Sequence, residues 1–493
     1  MRGDFSRFLT ELARQYQGVY QQQGRVDLDA DTNAAAVLEE NLRRHVVRDL
    51  LGPAGAPEGA AGFAIEVGEP PGGGDETLLI GAGRYWVDGI LCRNLRTTTL
   101  SGQPYLPGYE GAVEDGSYEI FLDVWERSVN GFQDPRLLDP ALEGVDTTVR
   151  KQAVWQVRVG LESGDSGESS LPPGVLRSNG LMKARCLEGN VPGNRLYRIQ
   201  IHYPQIPMQS GDGPAPPPPS FKWSRDNGSQ VAAVEDWTSS GSGAGRLVTV
   251  KVRTFGSPLE SVFQPLDWVE FLNDAIELDP QALPLWQVQE IQPDRSTVTL
   301  VPSNVEASDP VIDASLHPML LRWDQQLTEE GTFVDGTEII RFNEWMDLED
   351  GIQVFFDGSE SQGPPPVGPV VPRIYQIGDA WAFDSRTAIA GIQWPQTVHG
   401  EPLPMPKHGP HHVYAPLATA SYSGGSWSAV NDLRTIFQPL TGGSGGSSSV
   451  DAKGLIPPPP PRDASRWRRL EERVQELEEQ IARLLGPSRS MEE

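Results

Sequence analysis

One group of residues in the chain has the composition of a metal site, the histidine cluster His408-Gly-Pro-His411-His412. Imidazole nitrogens bind Zn²⁺ and Ni²⁺, but a catalytic zinc site needs three well-placed protein ligands and an open position. The proline between His408 and His411 removes any helical pairing of these side chains, and in a strand His411 and His412 point to opposite sides. We therefore expect surface or interface histidines, with a metal site as the alternative, and we predict no cofactor.

A second candidate is an acidic run near the N-terminal end. Its oxygen-bearing residues occupy alternate positions: Asp27, Asp29, Asp31 and Asn33. Calcium-binding loops begin with this spacing, but the sixth position here is Thr32 where the turn needs glycine, and the twelfth is Leu38 where a bidentate glutamate belongs. Negative charge is favoured at a helix N-terminus. We therefore expect these residues to begin a helix, with Asp31 or Asn33 as its N-cap.

Sequence patterns typical of enzymes give little support for a catalytic function. GxSxG occurs at residues 442–446, but in a Gly/Ser linker without the buried strand that a nucleophile elbow requires, and P-loop, HExxH and Rossmann fingerprints do not occur in the sequence. Asp123, Glu126 or Asp134 could serve a glycosidase, which needs two carboxyl groups roughly 5–10 Å apart across a cleft. Carboxylates are abundant in a chain with 67 Asp and Glu, so their presence decides nothing. We predict that the protein is not an enzyme.

Aromatic residues leave a binding function as the alternative. Four tryptophans could stack on sugars: Trp86, Trp125, Trp223 and Trp381. Each lies inside a predicted strand or beside a turn, where packing in the core is the favoured role. A carbohydrate-binding or adhesion module is the second interpretation of the chain, and exposed aromatic side chains on one β face would mark it.

Charge and cysteine content limit the partners. A net charge of −27 over 493 residues argues against a nucleic-acid partner, because phosphate binding depends on Lys and Arg. The first residues do not form a signal peptide, and no run of 18 apolar residues occurs. We therefore expect synthesis in the cytoplasm and no insertion into a membrane. Cys92 and Cys186 are far apart in sequence, and we expect buried thiols rather than a disulfide.

The sequence predicts that the candidate residues lie mainly on β-strands. Short, β-branched and aromatic runs bounded by Gly, Pro and Asp predict strands, among them 77–80, 268–272, 352–356 and 374–377, and Asp88-Gly89 predicts a hairpin turn within 83–91. The predicted fold is mainly β, with several small β-sandwich or barrel modules, an N-terminal helix and a short C-terminal coiled-coil helix. The predicted segments are an N-terminal helical anchor (1–55), a first β domain (56–160), a loop-rich connection (161–193), a second β domain (194–310), a third β domain (311–440), a Gly/Ser/Pro linker (441–465) and an amphipathic helix (466–486).

Residues 31–51 form the clearest long helix before the C-terminal segment. Its apolar residues recur every four positions: Leu38, Leu42, Val46 and Leu50. Gly52-Pro53 ends the helix. A narrow apolar stripe on a helix that is otherwise polar either docks on the next domain or meets copies of itself. We predict that this helix anchors the protein.

The C-terminal segment, which follows the linker, also predicts a helix with one apolar face. Its apolar residues follow heptad spacing: Trp467, Leu470, Val474, Leu477, Ile481 and Leu484. In a parallel pair Arg466 would face Glu471, and Arg473 would face Glu478. Fewer than three heptads are marginal alone. The helix either pairs copies of the chain into a dimer or trimer or docks on a different partner.

Several blocks of sequence, in order, resemble a bacterial family of unassigned molecular function. The matching blocks are residues 24–33, 85–89 (YWVDG), 122–127, 141–156, 194–202 (NRLYRIQIH), 221–229 (FKWSRDNGS), 317–325 and 411–417. The resemblance covers roughly residues 1–440. Thr32 departs from the family pattern, where an aromatic residue is expected, and the linker and C-terminal helix are peculiar to this chain.

Members of this family often sit in gene clusters for phage-tail-like contractile injection machines. The resemblance therefore implies a structural protein of such a particle, at its baseplate, at the cage around the baseplate or in its fibres. It implies other particle subunits as partners and release from the cell as part of an extracellular particle. No catalytic residues are attributed to the family, so the resemblance implies none here.

Overall fold

The computed structural model of the chain describes residues 1–9, 14–112, 114–142, 144–162, 171–206, 216–304, 308–310, 312–326, 331–359 and 372–439. The molecule is mainly β, with several sheets and one closed barrel, which confirms the predicted fold class. In the part of the chain that is described, no helix is both long and apolar enough to cross a membrane.

Within the described residues, helices are few and, apart from the first, short. They are α1 (Asp29–Leu51), α2 (Leu259–Val262) and α3 (Asp274–Leu278). Single 3₁₀ turns cover Pro135–Leu137, Pro140–Leu142, Gly243–Gly245, Pro293–Arg295, Ala314–Leu316 and Thr387–Ile389. The prediction for the start of α1 was wrong: the helix begins at Asp29, and Leu28, at the N-cap position, makes no side-chain cap bond. Asp29 and Asp31 lie in the first turn, where their charge still stabilises the helix dipole.

The strands are numbered along the chain. β1–β9 cover Ala54–Pro57, Ile65–Gly68, Thr77–Ile80, Gly83–Val87, Ile90–Asn94, Thr98–Thr99, Gly116–Val129, Arg150–Leu161 and Leu181–Cys186. β10–β18 cover Arg195–Ile201, Ser220–Ser224, Val231–Ser240, Leu247–Arg253, Trp268–Leu272, Trp286–Gln292, Thr297–Pro302, Met319–Trp323 and Phe333–Val334. β19–β27 cover Thr337–Ile339, Trp345–Asp347, Ile352–Phe356, Ala380–Arg386, Gly391–Ile392, Met405–Pro406, Val413–Ser423, Ser426–Asp432 and Ile436–Phe437.

The first and last strands together form what we call the N-terminal module. Its three sheets have the orders β27-β1-β4-β5, β2-β3-β6 and β26-β25-β7-β8. The long strands β7 and β8 pair antiparallel from Tyr118↔Leu161 to Val129↔Arg150, and β25 pairs with the other edge of β7. The sheets enclose one core, in which the Phe63 and Trp155 rings meet edge to face at 5.0 Å. The chain therefore returns to its first module at its described end.

The middle module consists of two sheets, β18-β19-β11-β10-β22-β23 and β20-β21-β9-β24. A shared core of buried aromatic side chains joins them, including Phe356, Tyr375 and Trp381. In sequence this module lies between β8 and β25, so it is inserted into the N-terminal module. Strand pairing thus connects segments that the predicted domain boundaries separate, and those boundaries stay a prediction.

Strands β12–β17 form a closed six-stranded barrel in the order β12-β13-β16-β15-β14-β17. Alternate residues of each strand face the interior of the barrel. In β13, for example, Val248, Val250 and Val252 are buried, while the residues between them are more exposed. In sequence the barrel lies between β11 and β18 of the middle module. The fold is thus a nested series of insertions.

A buried ion pair joins the barrel to the middle module. Lys222 of β11 contacts Glu270 of β14, Nζ to Oε1, at 2.5 Å, and both side chains are at most 9% exposed. The Trp323 indole N–H donates to the second oxygen of Glu270 at 2.9 Å, and the Lys222 ammonium lies 4.7 Å from the centre of the Trp323 ring. Each charge is therefore paired, as burial requires.

Candidate functional site

The anchoring helix predicted from the sequence is held on the N-terminal module by ion pairs. Arg44 of α1 contacts Glu40 on its own helix at 2.6 Å and Glu126 of β7 at 2.5 Å. Lys151 of β8 contacts the same two carboxylates, and Arg48 lies 2.9 Å from Asp88. Burial opposes ionisation of Glu40, but Lys151 and Arg44 lower its pKa overall. The helix is therefore fixed in direction along its second half.

The start of α1 is held by the N-terminal arm, residues 1–9. Asp29 accepts hydrogen bonds from the backbone N–H and the hydroxyl of Ser6, at 2.8 and 2.6 Å. These two bonds lower the pKa of Asp29 against the opposing effect of burial. Arg2 contacts Glu277 of α3, and the Asn227 amide donates to the Gly3 carbonyl at 2.9 Å. The arm thus links α1 to the barrel and the middle module.

The predicted stripe of α1 divides into a buried and an exposed part. Leu38 is buried with Ala30 and Ala34, whereas Leu42, Val46 and Leu50 are 56%, 48% and 68% exposed. The reason is geometric: four residues advance about 40° beyond a full turn, so Leu50 lies about 120° around the helix from Leu38. The outward face of a fixed helix therefore presents three apolar side chains. Their role as an anchor stays a prediction.

The segment before α1 also exposes apolar side chains. Its large apolar residues are exposed: Tyr16, Tyr20, Val26 and Leu28. Single exposed apolar residues are common on proteins, but several of them on one helix and in the segment that leads into it are typical of a protein contact. We call these four residues with Leu42, Val46 and Leu50 the α1 surface.

The histidine cluster is split among different surroundings. His412 Nδ1 lies 2.8 Å from Asp123 Oδ1, and its ring stacks on Trp125 at 4.5 Å. His408 Nδ1 accepts from the backbone N–H of Ala382 at 3.1 Å, and His411 is exposed. Within the described ranges, no group of three His, Cys, Asp or Glu side chains is arranged to hold a metal ion.

The carboxylates considered for a glycosidase have structural partners. Asp123 and Glu126 lie on opposite faces of β7, because they are three residues apart in a regular strand. Asp123 binds His412 and Glu126 binds Arg44, while Asp134 caps a 3₁₀ turn and pairs with Arg136. None of these contacts brings two of the three carboxylates together.

The sequence belongs to a known family. A family of unknown function, DUF6519, matches residues 1–172 and 184–431, which is most of the chain. This chain is a member of that family. Neither the curated proteins nor the solved structures contain a match. The membership agrees with the expected family of unassigned function and assigns no activity.

Tryptophans and cysteines follow the predictions in most cases. Trp125, Trp223 and Trp381 are buried, which confirms their predicted role in the core, and Trp86 is half-buried. Cys92 is a buried free thiol, as predicted, whereas Cys186 is only partly buried. The three buried tryptophans cannot form a sugar-stacking platform.

The predicted oligomerisation residues lie outside the described part of the chain. They are Trp467, Leu470, Val474, Leu477, Ile481 and Leu484. Residues 442–446, which match GxSxG, lie outside it too. The pairing of the C-terminal helix therefore stays a prediction.

Sequence reasoning missed the contacts that fix these surfaces. The Arg44–Glu126 pair and the Asp123–His412 pair each join residues far apart in sequence. The sequence around a charged residue does not show which distant charged residue it will contact in the fold. One local signal was available, a predicted strand at 119–125 that contains Asp123 but ends before Glu126.

Proposed function

We propose that this protein is a structural subunit of a phage-tail-like contractile injection particle, at the baseplate, its cage or its fibres. It acts by protein–protein assembly and without catalysis. The α1 surface is the observation that supports this proposal most. The surface combines exposed apolar side chains with a helix that ion pairs hold in place, and a fixed apolar face is suited to a permanent contact.

The neighbour that we assign to the α1 surface is another subunit of the particle. Leucine and valine side chains at one-turn spacing fit between the side chains of a second helix or against a sheet. Helical residues beside the stripe, such as Arg43 and Asp49, are exposed and would supply the polar rim. The symmetry of a particle would multiply a contact of this modest size through avidity.

The C-terminal helix supplies a second contact in this proposal. Its heptad would pair copies of the chain as a dimer or trimer, joined to the β modules by the linker at 441–465. Short helices at both ends would then connect a β-rich body to its neighbours. The family resemblance is the argument for a particle subunit. The α1 surface is the argument for how this subunit attaches to its neighbours.

A carbohydrate-binding module remains the second interpretation, but the described residues favour it less. Such a module presents aromatic rings on one β face, and Trp125, Trp223 and Trp381 lie in the interior. A small cavity beside His412 has Tyr414 as the one Phe, Tyr or Trp among the described residues of its lining, and a single ring does not make a platform on a β face.

Charge substitutions on α1 test the proposal. Leu42→Glu with Val46→Glu should remove the apolar contact, and Val398→Glu is the matched control because Val398 is 97% exposed outside the α1 surface. Particles purified by sedimentation from the host strain would be probed for the chain. We expect at least a tenfold loss of the double variant and normal incorporation of the control.

Two results would contradict the proposal. Normal incorporation of the double variant would show that the α1 surface does not attach the protein. Absence of the unmodified chain from sedimented particles would remove the particle assignment altogether.

A further inference from the structure

A small cavity lies where the N-terminal and middle modules meet. Its volume is about 270 Å³. His412 and Tyr414, at the start of β25, form one side of it, and Arg177 and Ser178, from the segment before β9, form another. Lys407, just after β24, also lines it. Ligand sites commonly occur at such junctions between domains, and this one is slightly smaller than the roughly 300–1,000 Å³ of a drug-sized site.

The lining of this cavity contains several cationic or basic side chains. The chain carries a net charge of −27, yet none of the described residues that line the cavity is Asp or Glu. Its lining instead presents a guanidinium, an ammonium and two imidazoles, from Arg177, Lys407, His411 and His412. Because Asp379 offsets Lys407 and Asp123 binds His412, Arg177 is the charge in this lining that favours an anionic ligand.

The two carboxylates behind the wall are already engaged. Asp379 is 1% exposed and accepts from the Lys407 ammonium at 2.7 Å, from the Ser178 hydroxyl and from the Gln376 backbone N–H at 2.8 Å. Asp123 is 6% exposed and pairs with His412. Arg177 differs from these groups, because it is exposed and no ion-pair partner for it occurs among the described residues. Its guanidinium is therefore available to a ligand.

His412 is oriented for a contact with a ligand. Its Nδ1 donates to the Asp123 carboxylate at 2.8 Å, because a carboxylate only accepts, so Nε2 of the neutral ring is an acceptor. Stacking of the ring on Trp125 at 4.5 Å fixes its plane. The centre of the Tyr414 ring lies 6.4 Å from that of His412, and the two rings are inclined by 23°. The cavity lining thus combines the His412 imidazole, the Tyr414 ring and the Arg177 guanidinium.

From this arrangement we infer that the cavity binds a carboxylate-bearing molecule about the size of one sugar residue. The carboxylate pairs with Arg177, for which a bidentate contact is the preferred geometry. A hydroxyl of the ligand donates to His412 Nε2, and the body of the ligand lies against Tyr414. This site is separate from the α1 surface and does not depend on the proposed assembly function.

Calorimetric titration of the full chain at low salt tests the inference. The probes are glucuronate, glucose as its neutral counterpart, and acetate as the carboxylate without a body. We expect glucuronate to bind and to bind at least tenfold more tightly than either of the other two. Arg177→Ala should weaken glucuronate binding at least tenfold, whereas Arg136→Ala, an exposed arginine outside the cavity, should leave it unchanged.

Each other outcome overturns the inference. Failure of glucuronate to bind at millimolar concentration would show that the cavity is not a site for such a molecule. Equal binding of acetate would reduce the site to simple anion attraction, and equal binding of glucose would remove the role of the carboxylate. Unchanged binding by a folded Arg177→Ala variant would place the ligand elsewhere.

Discussion

Arg44 of α1 lies 2.5 Å from Glu126 of β7, Nη2 to Oε2, and both side chains are about one quarter exposed. Glu40 and Lys151 complete a network of four charges at the same place. A network of this kind contributes more than an isolated surface pair, because each side chain is already ordered by the others. It determines the direction in which the α1 surface points.

Removing this pair should loosen α1 without unfolding the β modules. Native-state hydrogen exchange of residues 29–51 would be compared for Arg44→Ala, Glu126→Ala and the double variant. We expect a coupling of about 1 kcal/mol in the local opening free energy. Arg43→Ala, an exposed arginine on the same helix, should have no measurable effect. Strictly additive single effects would contradict a direct interaction.

Gly89 in the turn between β4 and β5 should tolerate no side chain. Its φ is +79°, and an added Cβ would lie 2.8 Å from both the Cα and the carbonyl oxygen of Arg44. Gly400 is the matched control, since its φ of +81° carries the same backbone strain but nothing lies within 4 Å. We expect Gly89→Ala to lower the melting temperature several degrees more than Gly400→Ala. Equal shifts would mean that α1 is not closely packed on this turn.

Lys222→Met should be strongly destabilising because it leaves Glu270 buried without its cation. The expected loss is about 3–5 kcal/mol for a broken buried pair. The double variant Lys222→Met with Glu270→Gln should recover much of this loss, since the Trp323 N–H retains an acceptor. Urea denaturation followed by tryptophan fluorescence measures both. A milder effect of the single variant than of the double would contradict the account.

Glu338 of β19 should make stability depend on pH. Burial raises its pKa from 4.5 to about 7. The charge of Arg341 lowers this pKa, and that of Asp347 raises it further. The folded state therefore binds the proton more tightly than the unfolded state, and its stabilising effect is complete below pH 4.5 and lost as pH rises through about 7. Glu338→Gln should remove up to about 3 kcal/mol of this dependence.

Melting curves between pH 4.5 and 8 would measure that effect. Relative to the unmodified protein, Glu338→Gln should gain stability toward pH 8. Glu401→Gln, at an exposed position, is the control and should follow the unmodified protein. Parallel curves for Glu338→Gln and the unmodified chain would show that this carboxyl is not perturbed.

Local features of the fold were predictable from the sequence. The predicted strands 77–80, 268–272 and 352–356 coincide with β3, β14 and β21. The hairpin turn at Asp88-Gly89 is confirmed by positive φ at both residues, 47° and 79°. Each of these depends on a few neighbouring residues, and hydrophobic period or turn chemistry is then sufficient. The prediction at 374–377 was wrong, because only Tyr375 there forms a bridge, to Gln205.

Long-range features were not predictable. β25 pairs with β7, Val413 opposite Val124, although the whole middle module and the barrel lie between them in sequence. Partner choice depends on the match of two strand faces and edges, which a single strand does not reveal. The Asp123–His412 contact and the cavity beside it follow from that pairing. The exposure of Leu42, Val46 and Leu50 likewise depends on where the ion pairs place α1.

The solution mass of the full chain, compared with a truncation ending at Pro439, tests the central claim of an assembly subunit most directly. Light scattering should show a dimer or trimer for the full chain and a monomer for the truncation, and Leu477→Asp in the full chain should match the truncation. A monomer for the full chain would contradict pairing through the C-terminal helix. An oligomer that survives the truncation would contradict it equally.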